Sequence, residues 1–142
     1  MDERKRLFIW LCSVLFAISV FFALYITVLC REPRSFYQVQ LLPFWNYSEI
    51  IANKKVLCEI VANIALFIPI VFFLTVLLRN ITLNRENIVV LIFCFIYSST
   101  LETLQYFLRL GMCEVDDIIH NSLSGILGIY VYNIHKKIWK KT

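Results

Sequence analysis

The chain has 142 residues, of which 60% are hydrophobic and 17% charged, and its mean hydropathy is +0.73. Soluble domains average about half apolar and about a quarter charged residues, so these values exclude an ordinary water-soluble domain and an intrinsically disordered chain. The formal net charge of +4 matters through its distribution, because the positions of Lys and Arg set the orientation of a membrane protein.

Four apolar segments predict four transmembrane helices. They cover residues 7–30, 56–78, 88–108 and 117–134. A helix needs about 20 predominantly apolar residues to cross a bilayer core of about 30 Å. The fourth segment is the weakest of the set, because His120, Asn121 and Asn133 interrupt it. We therefore predict an all-α membrane protein in which residues 1–142 form a single domain, a bundle of four transmembrane helices.

The basic residues predict the orientation of this bundle. With four spans both ends of the chain lie on one side, and that side carries nine Lys and Arg residues against five on the other. The positive-inside rule then places both termini in the cytoplasm. The loop between the first two spans becomes extracytoplasmic in this orientation.

This first outer loop is aromatic. Its rings belong to Phe36, Tyr37, Phe44, Trp45 and Tyr47. Aromatic side chains favour the headgroup level of a bilayer, so the loop is predicted to form an interfacial belt. A lid over the polar residues described next is the alternative interpretation.

Seven polar residues lie near the outer ends of the second, third and fourth spans. They are Asn63, Glu102, Gln105, Arg109, Asp116, Asp117 and Asn121. The spacing of Glu102, Gln105 and Arg109 predicts one shared helix face. A carboxylate inside a membrane is costly, so it faces a bundle interior or water and indicates a functional site by default. We predict an outward-facing ligand-binding pocket; hydrogen bonds that merely hold the helices together are the alternative.

Few residues have the spacing that catalysis or metal binding requires. The five cysteines form no C-x-x-C pair, which excludes the usual zinc and thiol-redox motifs. No second His or Cys stands at helical spacing from His120 or His135, and no Ser-His or Cys-His arrangement is visible. We therefore predict no metal and no cofactor, and we favour a binding protein over an enzyme.

Three alternatives stay open at this point. Glu102 and Asp117 are the candidate catalytic residues, because paired carboxylates can share general acid and general base roles. Together with Asp116 they could hold a hard cation, since such ions take carboxylate oxygens. A single disulfide is the third alternative, among the cysteines predicted near one membrane face: Cys30, Cys58 and Cys113.

Several motifs occur in a fixed order along the chain. They are L-P-F at residues 42–44, N-I-A-L-F-I-P-I at 63–70, the pair Glu102 and Gln105, and D-D-I-I-H-N at 116–121. They resemble the L-x-P-F, N-x-x-L-F-x-P-x-G-F, E-x-x-Q and D-D-x-x-x-N segments of the VanZ-like family of small bacterial membrane proteins. The chain departs from that pattern at Val71, where the family usually has Gly, and at His120, where an apolar residue is more usual.

The resemblance implies a multi-pass protein of the bacterial cytoplasmic membrane that is associated with resistance to teicoplanin and related lipoglycopeptide antibiotics. It implies no established reaction. On this basis the outer polar pocket is expected to engage an envelope component, such as a lipid-linked cell-wall precursor or an envelope protein. An enzyme acting on a lipid-linked or cell-wall substrate through Glu102 and Asp117, a carrier and an assembly role are the alternatives. We expect the lipid bilayer as a partner and no nucleic acid, and the sequence leaves the oligomeric state open.

Overall fold

The computed structural model describes residues 2–44, 47, 53–80 and 85–139. Trp45, a member of the predicted aromatic loop, lies outside the described residues, as do Lys140 and Lys141, which contributed to the orientation prediction. Most of the described chain is helical, as the apolar segments predicted.

Four long helices are present, one for each predicted span. Helix α1 covers Glu3–Leu24 and continues as a π-helical segment, Tyr25–Leu29, while α2, α3 and α4 cover Lys54–Asn80, Glu86–Phe107 and Val115–Trp139. Helix α2 runs through Pro69 without an interruption of its helical structure. The predicted number of helices therefore agrees with the described part of the chain.

Three of these helices are long and apolar enough to cross a membrane: Glu3–Leu29, Lys54–Arg79 and Glu86–Phe107. Helix α4 is more polar, and its polar and apolar residues lie on different faces. Asp116, His120 and Asn121 are buried, whereas Ile126 and Tyr130 are exposed. A membrane-spanning helix with polar residues needs this arrangement, because lipid offers no hydrogen bonds to a polar side chain.

The helices alternate in direction, and α2 lies against all three others. Asn63 near the start of α2 contacts Asp117 near the start of α4, so these two helices run parallel. Helices α3 and α4 run antiparallel. Glu102 of α3 contacts Glu114, just before α4, whereas Ser98, earlier in α3, contacts Asn121, later in α4. We call the end formed by the starts of α2 and α4 the loop end, and the other the terminal end.

Helices α2 and α4 approach closely halfway along their length. A Cβ atom placed on Gly128 would overlap the side chain of Val71. Val71 is fully buried and belongs to an apolar cluster with Val90 and Cys94. Val71 thus occupies the position where the family pattern has Gly, and Gly128 provides the space for it on the facing helix.

Two short strands add a feature that the all-α prediction did not contain. Strand β1, Gln38–Gln40, pairs in parallel with β2, Met112–Glu114, at the loop end. The backbone N–H of Arg34 also donates to the carbonyl oxygen of Arg109 at 2.7 Å. Strands of three residues carry too little alternation to be read from a sequence, so the all-α expectation is corrected by this small sheet. Its effect is to fix the first loop beside the turn between α3 and α4.

Candidate functional site

Six of the seven predicted site residues lie buried or half-buried at the loop end. Glu102, Gln105, Asp116 and Asn121 are buried, Asn63 and Asp117 are half-buried, and Arg109 is exposed. Their side chains make several separate contacts rather than converging on one point.

The first contact joins α2 to α4. The side-chain amide of Asn63 donates a hydrogen bond to Asp117 Oδ1 at 2.8 Å. Asn63 is the tenth residue of α2 and Asp117 the third of α4, and the parallel arrangement of the two helices brings them to the same depth. A carboxylate inside a helix assembly needs such a donor, because an unpaired buried charge is costly.

The second contact joins α3 to β2. Glu102, only 3% exposed, accepts a hydrogen bond at Oε2 from the backbone N–H of Glu114 at 3.0 Å. Glu102 and Asp117 are close enough for their charges to interact, and Arg31 interacts electrostatically with both of them. The two predicted catalytic candidates therefore lie in one electrostatic environment, which Arg31 shares.

Gln105 connects this region to the first helix. Its side-chain N–H donates to the carbonyl oxygen of Thr27 at 3.1 Å, and its Oε1 accepts a hydrogen bond from Arg31 at 3.4 Å. The carbonyl belongs to the π-helical segment, Tyr25–Leu29. Gln105 therefore positions Arg31, which follows the segment after Cys30, beside the carboxylates.

Arg109 does not join Glu102 and Gln105, contrary to the predicted shared helix face. Helix α3 ends at Phe107, and Arg109 lies in a turn with a left-handed φ of 58°. Its guanidinium lies 4.5 Å from the centroid of the Tyr37 ring, on the exposed surface. The helical spacing cannot extend to Arg109 because the helix has already ended, and Arg31 supplies the positive charge near the carboxylates instead.

Asp116 turns towards the first loop. Its Oδ1 accepts a hydrogen bond from the backbone N–H of Phe44 at 2.6 Å. Asp116 and Asp117 diverge because successive residues of an α-helix point about 100° apart. One turn further along α4, His120 Nε2 and the hydroxyl of Tyr47 are 3.0 Å apart. We call these four residues, Phe44, Tyr47, Asp116 and His120, the loop latch.

Asn121 makes a contact of another kind. Its side-chain N–H donates to Ser98 Oγ at 2.9 Å and so joins α4 to α3. Its buried Oδ1 has no hydrogen-bond partner within the described segments. This contact lies deeper than the others and is the one that best fits the alternative of hydrogen bonds holding helices together.

A cleft of about 630 Å³ opens beside the Asn63–Asp117 pair. We call it the polar cleft. Its charged lining residues are two arginines and four carboxylates: Arg31, Arg34, Glu32, Glu59, Glu114 and Asp117. Its remaining wall is largely apolar and includes Val56, Ile60 and Leu66. A volume of this size falls within the range of about 300–1,000 Å³ for small-molecule sites.

Comparison with known proteins identifies the family. The VanZ/LLP1 family model matches residues 8–136, which is most of the chain. The chain belongs to the VanZ/LLP1 family. It is similar to the protein named Protein VanZ from Enterococcus faecium, with 26% identity over 121 residues that cover 81% of this chain and 73% of that relative. No solved structure matches it.

Family membership confirms the resemblance that the motifs indicated. Together with the three apolar helices it indicates a membrane protein associated with the lipid bilayer. In this VanZ/LLP1 chain, residues of the E-x-x-Q and D-D-x-x-x-N motifs line or border the polar cleft at the loop end.

Two further findings concern the cysteines and a cation. All five cysteines are unpaired, so the considered disulfide is not formed. Across the described ranges no group of three or more His, Cys, Asp or Glu residues is arranged to hold a metal ion. Burial raises the pKa of the Cys113 thiol, and the negative charges of nearby carboxylates add to this effect. A protonated thiol is a poor nucleophile, so Cys113 is not an activated residue.

Sequence reasoning missed Arg31, the backbone N–H of Glu114 and the contact of Tyr47 with His120. Arg31 follows a helix end and shares no periodicity with Glu102, so no spacing rule links them. Glu114 contributes its backbone N–H, which is independent of its side chain. The sequence did carry a signal for the contact of Tyr47. His120 departs from the family pattern, lies one turn after Asp116 and needs a polar partner when it is buried.

Proposed function

We propose that this VanZ/LLP1 protein spans the bacterial cytoplasmic membrane with both termini in the cytoplasm, and that its polar cleft opens to the outside. In this proposal the cleft engages an envelope component and thereby lowers susceptibility to teicoplanin and related lipoglycopeptides. The observation that carries the proposal is the polar cleft itself, a cavity of about 630 Å³ beside the Asn63–Asp117 pair.

The charge distribution supports this orientation. The terminal end carries Arg4, Lys5 and Arg6 at the start of α1 and Lys136 and Lys137 near the end of α4. Positively charged residues accumulate on the cytoplasmic side of membrane proteins. The loop end, with its carboxylates and aromatic rings, then faces outwards.

The lining of the polar cleft supports an amphipathic ligand. Arg31 and Arg34 can bind an anionic group, and Asp117 and Glu114 can accept hydrogen bonds from amines or hydroxyls. Residues such as Ile60 give the cleft an apolar wall. A lipid-linked cell-wall precursor has both parts, a polar head and an apolar chain, and this is the ligand class that we favour.

The test compares cells lacking the protein with cells carrying wild type, Asp117→Asn or Glu102→Gln at matched membrane levels. Teicoplanin susceptibility and the binding of labelled teicoplanin to the cell surface are measured together. We expect wild type to protect and both variants to lose protection, because Asp117 lines the cleft and Glu102 accepts the hydrogen bond from Glu114, another lining residue. Glu86→Gln is the matched control, since Glu86 pairs with Arg79 at the terminal end, 3.5 Å away.

Two results would contradict the proposal. If Asp117→Asn and Glu102→Gln protect as well as wild type, the polar residues only hold the helices together. If Glu86→Gln also abolishes protection, the loss reflects general damage rather than the cleft. A modified lipid-linked substrate that accumulates with wild type and not with Glu102→Gln would favour the enzyme that we kept as the alternative.

A further inference from the structure

A second cavity lies at the terminal end, away from the polar cleft. This groove has a volume of about 650 Å³ and is lined by α1, α2 and α4. We call it the terminal groove. Its lining includes Leu11 and Leu15 of α1, Phe72 and Val76 of α2, and Tyr132 and Lys136 of α4.

The walls of the terminal groove are almost entirely apolar. Helix α2 packs against both α1 and α4 and forms the floor, where Val76 is buried and the Phe72 ring lies 6.1 Å from that of Tyr132. Leu11 and Leu15 on α1 are exposed at the side of the groove. Apolar side chains that surround an open groove on a membrane-facing surface fit a hydrocarbon chain rather than a polar solute.

The rim of the terminal groove is positively charged. Lys136 lines the groove and, within the part of the chain that the structure describes, forms no ion pair. Arg79 differs, because its guanidinium interacts with Glu86 at 3.5 Å and lies 4.7 Å from the centroid of the Tyr132 ring.

The adjoining chain ends strengthen this positive rim. The basic residues there are Arg4, Lys5, Arg6 and Lys137, and the described residues of these two ends add the acidic Asp2 and Glu3. Basic side chains between membrane helices on the cytoplasmic side attract anionic lipid headgroups. Charge and apolar lining together therefore select an anionic amphiphile.

We propose that the terminal groove binds one acyl chain of an anionic diacyl phospholipid, with the lipid phosphate placed at Lys136. This site is separate from the polar cleft in position, lining and ligand. The proposal rests on the proposed function in one respect, the placement of the terminal end in the cytoplasmic leaflet, from which the lipid enters.

The experiment uses the full-length protein in a mild detergent. Phosphatidylglycerol or phosphatidylcholine with identical acyl chains is added in increasing amounts, and bound lipids are counted by native mass spectrometry. We expect wild type to bind the first phosphatidylglycerol about fivefold more tightly than the first phosphatidylcholine, which corresponds to one basic side chain near a lipid phosphate.

Two pairs of variants separate the acyl-chain contact from the charge contact. Leu15→Trp fills the groove and is expected to lose both lipids, whereas Ile126→Trp, on the exposed face of α4 outside the groove, is expected to match wild type. Lys136→Gln is expected to lose only the preference for phosphatidylglycerol. Its neighbour Lys137 does not line the groove, so Lys137→Gln is expected to retain it.

Several outcomes would overturn the proposal. Equal binding of both lipids by wild type would contradict recognition of the lipid phosphate by Lys136. Unchanged binding by Leu15→Trp would contradict binding of the acyl chain in the terminal groove. Leu11→Trp repeats the filling test in case Leu15→Trp loses its helical circular dichroism. A dimer that disappears in both filling variants would assign the groove to a second copy of the chain.

The lipid site and the proposed function can fail separately. Asp117→Asn is expected to bind phosphatidylglycerol as wild type does, because Asp117 lies at the loop end. Lipid binding in detergent needs neither the antibiotic nor a particular orientation. Loss of teicoplanin protection with intact lipid selectivity would therefore leave the terminal groove as a site in its own right.

Discussion

The two ends of the helix assembly are held together by different interactions. At the loop end, side chains of α2, α3 and α4 exchange hydrogen bonds, as between Asn63 and Asp117 and between Asn121 and Ser98. Towards the terminal end, the same helices meet through apolar contacts and through the space left by Gly128. Hydrogen bonds have strict directions, while apolar contacts depend on volume.

This difference separates stability from recognition along the helices. Packing in the middle and at the terminal end fixes how closely α2 approaches α4, because Val71 is fully enclosed there. The polar contacts at the loop end contribute less to stability, since hydrogen bonds between membrane helices average about 0.6 kcal/mol. They determine instead which charged groups face the polar cleft.

Gly128→Ala is expected to lower the free energy of unfolding by about 1–3 kcal/mol, as overpacking of a filled interior does. The added Cβ would overlap the branched side chain of Val71, which is buried on all sides. Thermal unfolding in detergent would be monitored through the reaction of a thiol reagent with Cys94, which is buried in the folded protein.

Gly125→Ala is the matched control for this packing test. Its added Cβ would meet the flexible end of the Leu91 side chain at 2.9 Å, which can move aside. We therefore expect a smaller loss for Gly125→Ala than for Gly128→Ala. Equal losses for the two variants would show that the contact with Val71 has no special weight.

Asn63→Ala is expected to lower the unfolding free energy by about 0.6–1.7 kcal/mol, the range measured for hydrogen bonds between membrane helices. The change removes the donor to Asp117 and leaves that carboxylate without its partner on α2. Asn87→Ala, at an exposed asparagine of the terminal end, should change the same unfolding curve little. A loss for Asn63→Ala above that of Gly128→Ala would reverse the proposed division between the two ends.

Tyr47→Phe is expected to loosen the loop latch while leaving global unfolding nearly unchanged. The lost contact with His120 has a net value of about 0.5–1 kcal/mol, and surface segments open locally without unfolding the whole protein. Hydrogen exchange of the amides in β1, Gln38–Gln40, should therefore become faster. Tyr37→Phe keeps the ring under Arg109 and serves as the control. Unchanged exchange in both variants would mean that the latch does not hold the loop.

Arg109→Gln should have the smallest effect, since an exposed cation–π contact contributes about 0.5–1 kcal/mol and Arg109 does not reach the carboxylates. Teicoplanin protection is expected to persist in this variant. Arg31→Gln is its counterpart and should lose protection, because Arg31 lines the polar cleft and interacts with Glu102 and Asp117. Loss of protection in Arg109→Gln with retained protection in Arg31→Gln would instead assign Arg109, and not Arg31, to the functional site.

The sequence predicted the helices well because long apolar segments have few alternatives in a membrane. It also predicted that Asp116, Asp117 and Asn121 would avoid lipid, since the cost of exposing them decides their side of α4. The end of α3 was harder to predict from the sequence. The turn after it places Arg109 at a left-handed φ, a position where Gly or Asn is the usual residue. Arg31 and β1 depend on where the first loop lies, and that is a tertiary contact without a local signature.

The pairing of β1 with β2 has a consequence for how the protein is made. Parallel strands need a crossover connection, and here the crossover consists of α2 and α3. The first loop emerges early in synthesis, yet its strand partner and its contacts at Asp116 and His120 are translated more than seventy residues later. The small sheet and the loop latch can therefore form only after the start of α4 has been synthesised. Formation of the first loop's contacts thus reports that α2, α3 and the start of α4 have come together.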